Sequence, residues 1–299
     1  MSRGHSRAAS PWTVGGLALE GARRLRAARL EFGHGTRTAR AEAAYLTLHA
    51  LRLSLNSKSK TFERHVSSRA ARQVLALFAR RIRSRKPAAY LTREAWLAGF
   101  RFYVDERVIV PRSHLAGPLL DQLAPWISDA NRIGAALDLC TGSGCLAILL
   151  ARAFPRAGID AADISSAALD VARRNVKDYR LARRIRLVKS DLFSALGEKQ
   201  YDLIISNPPY VTAAAMRRLP REHRHEPRLA LAGGQDGLDP VRAILLQAAA
   251  FLRRDGTLMV EVGSGRPRLE RAFPRVEFTW LETPGGGDVF LLRREQLPG

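Results

Sequence analysis

Apolar residues recur at helical spacing along the first third of the chain. They predict three helices, near residues 10–30, 38–54 and 63–84. The polar stretch 54–60 predicts a loop between the second helix and the third. Pro87 is expected to end the third helix, because proline lacks an amide hydrogen and disfavours a helical residue before it.

A different pattern follows Pro87. Residues 96–104 place aromatic side chains around Gly99, which predicts a β-hairpin, and the apolar run 108–110 predicts a further strand that stops at Pro111. Strands then alternate with helices, which predicts an α/β fold with a parallel, doubly wound sheet that binds its ligand beyond the carboxyl ends of the strands. The predicted strands are 135–139, 158–163, 185–189, 201–206, 257–262, 276–281 and 289–292, and the predicted helices are 114–127, 143–154, 166–179, 238–253 and 266–273.

Composition narrows the class of protein. The chain has 299 residues, of which 46% are hydrophobic, so we expect a substantial packed core. No apolar run approaches the roughly 18 to 20 residues of a membrane span, and we expect no membrane partner. The two cysteines, Cys140 and Cys145, match no metal-ligand spacing and are too few for a secreted disulfide framework. We therefore expect a cytoplasmic protein that binds no metal.

The N-terminal part of the chain is strongly basic. The net charge is +21, and residues 1–110 contribute +15 of it. Such a field attracts phosphate backbones, but 43 arginines against 6 lysines also fit a general arginine bias in the proteome. The Ala- and Arg-rich start could be an organellar transit peptide, although Trp12, Val14 and Leu17 fit an amphipathic helix, which we favour.

A glycine-rich loop and two acids mark the carboxyl ends of the first three predicted strands of this sheet. The loop follows the first strand, where glycine permits a tight turn and close approach of a ligand. Asp163 ends the second strand, where a carboxylate can accept both ribose hydroxyls of a nucleoside. Asp191 and Leu192 follow the third and could bind an adenine. Together these features predict an adenosine pocket with no phosphate-binding lysine. Its candidate cofactor-binding residues are Asp138, Cys140, Thr141, Gly142, Ser143, Gly144, Asp163, Asp191, Leu192 and Asn207.

Asn207, Pro208, Pro209 and Tyr210 follow the fourth predicted strand. The Asn207 side-chain oxygen and the Pro208 carbonyl can each accept a hydrogen of a planar NH2 group, and the two prolines have no amide hydrogens to divert these acceptors. Tyr210 offers a ring face for a flat substrate. Such an arrangement suits methylation of an amide or aniline-like nitrogen by S-adenosylmethionine, with Asn207, Pro208 and Tyr210 as catalytic residues and Pro209 lining the substrate site. No general base is evident.

The chain resembles the PrmB/HemK family of bacterial protein-glutamine methyltransferases, and within it the PrmB-type branch that modifies large-subunit ribosomal protein three. Cys140 and the Asp191-Leu192 pair favour this branch over the branch that modifies release factors. The resemblance rests on residues 102–113, which end in Pro111-Arg112-Ser113, on 138–145 and 206–211, on 226–231 continuing to 237–239, and on 260–263.

The resemblance implies a seven-stranded class I methyltransferase sheet of Rossmann-like type. It implies a helical substrate-recognition domain over residues 1–94, a connecting β-hairpin over 95–112 and a methyltransferase domain over 113–299. The implied cofactor is S-adenosylmethionine, and the implied activity is methylation of a glutamine amide in large-subunit ribosomal protein three, which would support ribosome assembly. The basic N-terminal domain could also engage ribosomal RNA.

Three alternatives stay open at this point. The Asn-Pro-Pro-Tyr loop would serve the exocyclic amine of a nucleic-acid base equally well, although the sequence has no separate RNA-binding module. A release-factor glutamine is the second alternative, and a non-catalytic ribosome-assembly protein is the third.

Overall fold

The computed structural model describes residues 11–283 and 286–298, so the first residue of the helix predicted from 10 lies outside the described residues. The chain divides into two compact units. One consists of Met1–Arg93 and Pro220–His225, and the other of Glu94–Leu219 and Glu226–Gly299. The short segment 220–225 therefore belongs with the N-terminal unit, although it lies between two parts of the sheet unit in the sequence. No helix within the described ranges is long and apolar enough to span a bilayer.

The N-terminal unit is built from helices whose starts are set by capping residues. The side chains of Thr13, Thr38 and Ser67 each accept a hydrogen bond from the backbone three residues later. The third helix therefore begins at Ser68, later than predicted, and a separate one-turn helix begins inside the predicted loop. The helices are α1 (Val14–Ala27), α2 (Ala39–Ala50), α3 (Ser59–Phe62), α4 (Ser68–Ser84) and α5 (Ala88–Thr92).

A buried ion-pair network crosses the core of this unit. Arg81 of α4 is fully buried, and its Nε donates to Glu42 of α2 at 2.8 Å. Glu222, from segment 220–225, is also fully buried, and one of its oxygens lies 2.8 Å from Nε of Arg85 and 3.9 Å from Nη1 of Arg81. Burial raises the pKa of Glu42, against the opposing effect of Arg81. The network therefore anchors segment 220–225 through two buried carboxylates, buried Arg81 and the partly exposed Arg85.

The substitution Arg81→Ala is expected to destabilise the N-terminal unit by about 3–5 kcal/mol, because it leaves buried carboxylates without their counter-charge. Hydrogen exchange of the α2 and α4 amides measures this loss. Arg83→Ala, on the exposed side of the same helix, should change protection by no more than about 0.5 kcal/mol. Equal protection in the two variants would contradict the role assigned to Arg81.

The sheet unit opens with the predicted hairpin, which is confirmed. Strands β1 (Ala95–Leu97) and β2 (Phe100–Phe102) pair antiparallel, and the turn residues Ala98 and Gly99 both have positive φ, as a two-residue hairpin turn requires. The strand predicted at 108–110 is wrong. The amide of Val108 donates to the Asp105 carbonyl and that of Val110 to the Glu226 carboxylate, so neither joins a strand ladder.

Seven strands form the main sheet, in the order β5-β4-β3-β6-β7-β9-β8. The sheet is mixed, because β9 runs antiparallel to both of its neighbours. The prediction of an entirely parallel sheet is wrong at this edge, since the short connection between β8 and β9 allows only antiparallel pairing. The strands are β3 (Ala135–Leu139), β4 (Gly158–Asp163), β5 (Ile185–Lys189), β6 (Tyr201–Ser206), β7 (Leu252–Gly263), β8 (Thr279–Leu281) and β9 (Asp288–Arg293).

Helices cover both faces of the sheet, which confirms the predicted fold class. Leu146 and Ile148 belong to the apolar layer on one face, and Ile244 and Leu245 to the layer on the other. The helix predicted over 114–127 stops early, because Gln122 and Leu123 adopt positive φ. The helices are α6 (Ala116–Leu120), α7 (Cys145–Ala153), α8 (Ser166–Asp178), α9 (Ala213–Arg217), α10 (Asp239–Phe251) and α11 (Arg266–Ala272).

The strand order reverses between β3 and β6. The chain moves outward from β3 to β4 and β5, then returns to place β6 on the other side of β3. Loops that leave the carboxyl ends of these two strands diverge and open a crevice, which is where ligands bind in doubly wound sheets.

Candidate active site

A cavity of about 690 Å³, counted to its open mouth, lies at the carboxyl ends of β3, β4, β5 and β6. This volume is within the range of roughly 300–1,000 Å³ of small-molecule sites. All four strand ends that the sequence singled out contribute to it. The predicted residues that line this large cavity are Cys140, Gly142, Asp163, Asp191, Leu192, Asn207 and Pro209.

Backbone hydrogen bonds orient Asp163 at the end of β4. Its Oδ2 accepts from the Gly142 amide at 2.8 Å, and its Oδ1 accepts from the Ser165 amide at 2.9 Å. Burial raises the pKa of Asp163, and these two backbone donors oppose the change. Each carboxylate oxygen has two lone pairs, so each can accept one further hydrogen bond from a ligand.

Ser190 shapes the loop that contains Asp191 and Leu192. Its hydroxyl donates to the Leu192 carbonyl at 2.7 Å and accepts from the Ala195 amide at 3.0 Å. Leu192 adopts a positive φ of 45°, which turns the chain sharply after Asp191. Asp191 is exposed and Leu192 is half-buried, and both line the cavity.

The four other predicted residues in this region stabilise the glycine-rich loop and do not contact the cavity. Asp138 is fully buried, and Thr141 Oγ1 donates to its Oδ2 at 2.5 Å. The Ser143 carbonyl accepts from the side chain of Asn175 at 2.8 Å. Gly144 has a positive φ of 77°, and a Cβ there would lie 3.1 Å from Cβ of Ala172, so glycine permits the loop to pack on α8. None of these four predicted residues lines the cavity.

The two cysteines are free thiols in this region. Burial raises the pKa of both, and the nearby Asp163 carboxylate raises that of Cys140 further. Thiols with raised pKa values are poor nucleophiles, so these side chains contribute size and shape rather than reactivity.

A second, smaller cavity of about 350 Å³ lies on the other side of Asn207. It shares Ile109, Asn207 and Ala230 with the large cavity, so Asn207 stands between the two spaces. Pro208 and Tyr210 line the small cavity. The structure therefore brings the predicted acceptor residues together, with Pro209 on the large cavity and its two neighbours on the small one. The remaining lining residues of the small cavity are Arg112, Val211 and Leu231.

Close glycine contacts fix the Asn-Pro-Pro-Tyr loop. A Cβ at Gly233 would lie 2.7 Å from Cα of Tyr210, and a Cβ at Gly263 would lie 2.6 Å from its ring. The Val211 amide donates to the Leu231 carbonyl, and the Gly233 amide donates to the Val211 carbonyl, each at 2.9 Å. The chain segment after residue 226 thus holds the loop by backbone bonds.

Buried Glu226 joins that segment to the chain that precedes α6. Its carboxylate pairs with both terminal nitrogens of Arg112, at 2.5 and 2.7 Å, and its Oε1 also accepts from the Val110 amide at 3.0 Å. A bidentate guanidinium–carboxylate pair is directional, so it fixes the register of these two segments as well as their distance.

A second buried acid, Glu261 of β7, has a similar role. Its Oε2 accepts from the Ser113 hydroxyl at 2.6 Å and from the His114 amide at 2.9 Å, and its Oε1 accepts from the Tyr210 hydroxyl at 3.3 Å. Burial raises the pKa of Glu261 and also that of Tyr210. The bond to Glu261 holds the hydroxyl of Tyr210, whose side chain lines the small cavity.

Known proteins resemble this chain in sequence and in fold. Residues 119–220 match the family model "Methyltransferase small domain". The chain is 54% identical over 277 residues to the ribosomal protein uL3 glutamine methyltransferase of Neisseria meningitidis serogroup B, a match that covers 92% of this chain and 91% of that protein. It is 48% identical over 294 residues to the protein of the same name from Burkholderia pseudomallei, with 96% of each chain covered.

The chain belongs to the ribosomal protein uL3 glutamine methyltransferase family. The resemblance recognised in the sequence is thereby confirmed. The fold is also that of the hMettl16 catalytic domain, with a TM-score of 0.50 at 19% sequence identity, covering 83% of this chain and 89% of that one.

The two buried acids beside the small cavity have no signature in residue type. Glu226 and Glu261 lie in segments that carry the family resemblance, and nothing in their spacing shows that they bind Arg112 and Ser113. Their partners are more than 100 positions away in the sequence, at separations of 114 and 148 residues. The only local signals of their importance are that Glu226 precedes a proline and that Glu261 lies inside an apolar strand.

Asp138 is expected to make folding stability depend on pH. Burial raises its pKa to about 7, the charge of Asp163 adds to the effect, and hydrogen bonds from Thr141 and Ala147 oppose it. Since the folded state then binds a proton more tightly than the unfolded state does, the free energy of unfolding should fall between about pH 4 and pH 7. Asp138→Asn keeps an acceptor for Thr141 without the charge and should lose the part of the slope that Asp138 contributes, roughly 1.4 kcal/mol for each unit of its pKa shift.

Urea unfolding at pH 4.5 and 7 measures the difference between the two proteins. Asp170→Asn, on the exposed face of α8, serves as the control and should keep the slope of the unsubstituted protein. If Asp138→Asn retains the full slope as well, the carboxyl group of Asp138 is not its source.

Proposed function

We propose that this protein transfers a methyl group from S-adenosylmethionine to the side-chain amide nitrogen of a glutamine in ribosomal protein uL3. Ribosomal protein uL3 is the large-subunit ribosomal protein three named above. The observation that carries the proposal is the pair of cavities that meet at Asn207. A methyl donor and an acceptor need separate binding sites that open onto one point. The names of the relatives support glutamine in uL3 as the acceptor.

The residues of the large cavity fit S-adenosylmethionine. Asp163 has acceptor capacity left for the ribose hydroxyls, and Asp191 with Leu192 suits the polar edge and the face of an adenine. Cys140 and Gly142 would face the remainder of the ligand. Asp138, Thr141, Ser143 and Gly144 would act from beneath by fixing the loop. When bound, S-adenosylmethionine supplies an activated methyl group on a sulfonium.

The small cavity suits a glutamine side chain. Asn207 Oδ1 and the Pro208 carbonyl would accept the two amide hydrogens, while the Tyr210 ring would cover the flat amide. An amide nitrogen is a poor nucleophile because its lone pair is delocalised. Two fixed acceptors favour the nitrogen as it becomes pyramidal and positively charged, and they hold it in line for transfer. Its proton can leave to water afterwards, so the reaction requires no general base.

The decisive experiment supplies methyl-labelled S-adenosylmethionine and unmodified large-subunit precursors, then locates the label by mass spectrometry. We expect the label on one glutamine of uL3. Label on ribosomal RNA, or transfer to a release factor in preference to uL3, would overturn the proposed acceptor. The absence of any transfer would overturn the proposed activity.

In the same assay, Asn207→Ala is expected to lower the rate of transfer about 10²- to 10³-fold, because it removes an acceptor that acts on the developing charge. Binding of S-adenosylhomocysteine, followed by calorimetry, should weaken only a few fold. Asn131→Ala, at an exposed position, is the matched control and should transfer at the full rate. Undiminished transfer by the Asn207 variant would be incompatible with the acceptor role of this loop.

We further propose that the helical unit recognises the substrate and contacts ribosomal RNA in an assembling particle. Arg69, Arg72, Arg80 and Arg83 are exposed and fall on one side of α4, opposite the buried Val74 and Phe78. No carboxylate of a described residue forms an ion pair with these four arginines. A row of free guanidinium groups suits a phosphate backbone, and it would repel a basic ribosomal protein that comes without RNA.

Replacing all four of these arginines by Gln is expected to reduce methylation of uL3 within RNA-containing precursors and to flatten its dependence on salt concentration. Methylation of RNA-free uL3 should not fall. The control replaces Arg271 and Arg275, two exposed arginines of the sheet unit, in the same way. Equal rates on both substrates at every salt concentration, in the quadruple variant and the unsubstituted protein alike, would rule out the RNA contact.

A further inference from the structure

One basic side chain stands out in the large cavity. Among the described residues that line it, Arg107 alone carries a positive charge, whereas Asp163 and Asp191 are acids. Arg107 lies in the irregular segment between the hairpin and α6, away from the strand ends that hold the predicted cofactor-binding residues. Its side chain is 43% exposed.

Arg107 is held in place from one side. Its Nε and Nη2 donate to the two oxygens of Asp105 at 2.9 and 2.7 Å, and its own amide donates to Asp105 Oδ1 at 3.1 Å. The Tyr103 hydroxyl also donates to Asp105, at 2.9 Å. Burial of Asp105 acts to raise its pKa, but the hydrogen bonds from Arg107 and Tyr103 outweigh it and lower the pKa to about 2. Asp105 is therefore ionised at physiological pH, so its negative charge faces Arg107.

This pairing leaves one end of the guanidinium available. No described residue accepts a hydrogen bond from Nη1 of Arg107. The segment is also fixed further along, since Val110 donates its amide to buried Glu226. A cation immobilised on one side and unpaired on the other is preorganised for an anionic ligand, because little conformational entropy is lost on binding.

The ligand that the cavity is proposed to bind has one anionic group. S-adenosylmethionine has a carboxylate on its methionine part, together with a cationic ammonium and a cationic sulfonium. A guanidinium presents its N–H groups in a plane that matches a carboxylate. Resting on the proposed function, we infer that Arg107 binds this carboxylate and so fixes the amino-acid end of the cofactor.

The test compares two ligands by calorimetry. S-adenosylhomocysteine retains the carboxylate, whereas 5′-methylthioadenosine lacks the whole amino-acid part. Arg107→Gln should weaken S-adenosylhomocysteine about 10- to 100-fold, as expected for the loss of a charge-assisted hydrogen bond. It should change the affinity for 5′-methylthioadenosine by less than about twofold. Arg107→Lys keeps the charge without the planar fork and should give an intermediate loss of S-adenosylhomocysteine affinity.

Two controls separate this role from a structural one. The double variant Asp105→Asn with Arg107→Gln removes the whole ion pair and leaves no buried charge uncompensated, and it should lose S-adenosylhomocysteine affinity as the single variant does. Arg101→Gln changes a highly exposed arginine of the hairpin that does not line the cavity, and both ligands should bind it normally.

The outcomes are distinct. Equal weakening of both ligands would mean that Arg107 only shapes the cavity, and unchanged S-adenosylhomocysteine affinity would mean that it contacts neither end. Either result overturns the inference while leaving the proposed function in place. If the unsubstituted protein binds neither ligand, the proposed function fails, and the inference fails with it.

Discussion

Two buried carboxylates organise the chain around the small cavity. Glu226 holds Arg112 and the Val110 amide, and Glu261 holds Ser113, the His114 amide and Tyr210. Each acid joins chain segments more than 100 residues apart, and Glu261 also bonds Tyr210 of the Asn-Pro-Pro-Tyr loop. Since a buried charge is costly unless it is fully paired, these acids tolerate very few alternative arrangements of their partners.

Other charged side chains in the molecule are also held by specific partners. Asp163 accepts backbone hydrogen bonds on both oxygens yet keeps lone pairs for a ligand, and Asp105 fixes one edge of Arg107 while the other edge stays available. In the N-terminal unit, Arg81 and Arg85 hold Glu222 within segment 220–225. That segment is covalently continuous with the Asn-Pro-Pro-Tyr loop on one side and with Glu226 on the other.

The proposed acceptor chemistry could be inferred from local sequence because it depends on adjacent residues. Four consecutive residues at a strand end supply two acceptors, a rigid backbone and a ring, and proline guarantees that no amide competes. Most of the sheet is predictable for a similar reason. Strands β3 to β6 are short apolar runs bounded by turn residues, and their observed bounds match those predicted. The errors fall where a local pattern competes with a distant partner, as at Val108 and Val110, whose amides bond outside any strand.

The sequence by itself determined the fold class, the strand-end positions of Asp163, Asp191 and Asn207, and, through resemblance, the family. All of these depend on periodicity or on residues close together in the chain. The tertiary structure alone decided that Asn207 and Arg107 line the cavities, that Asp138 supports the glycine-rich loop, and that Glu226 and Glu261 bond Arg112 and Ser113. Each of these features depends on contacts between segments that are far apart in the chain. Burial and charge pairing between such segments cannot be inferred from local residue patterns.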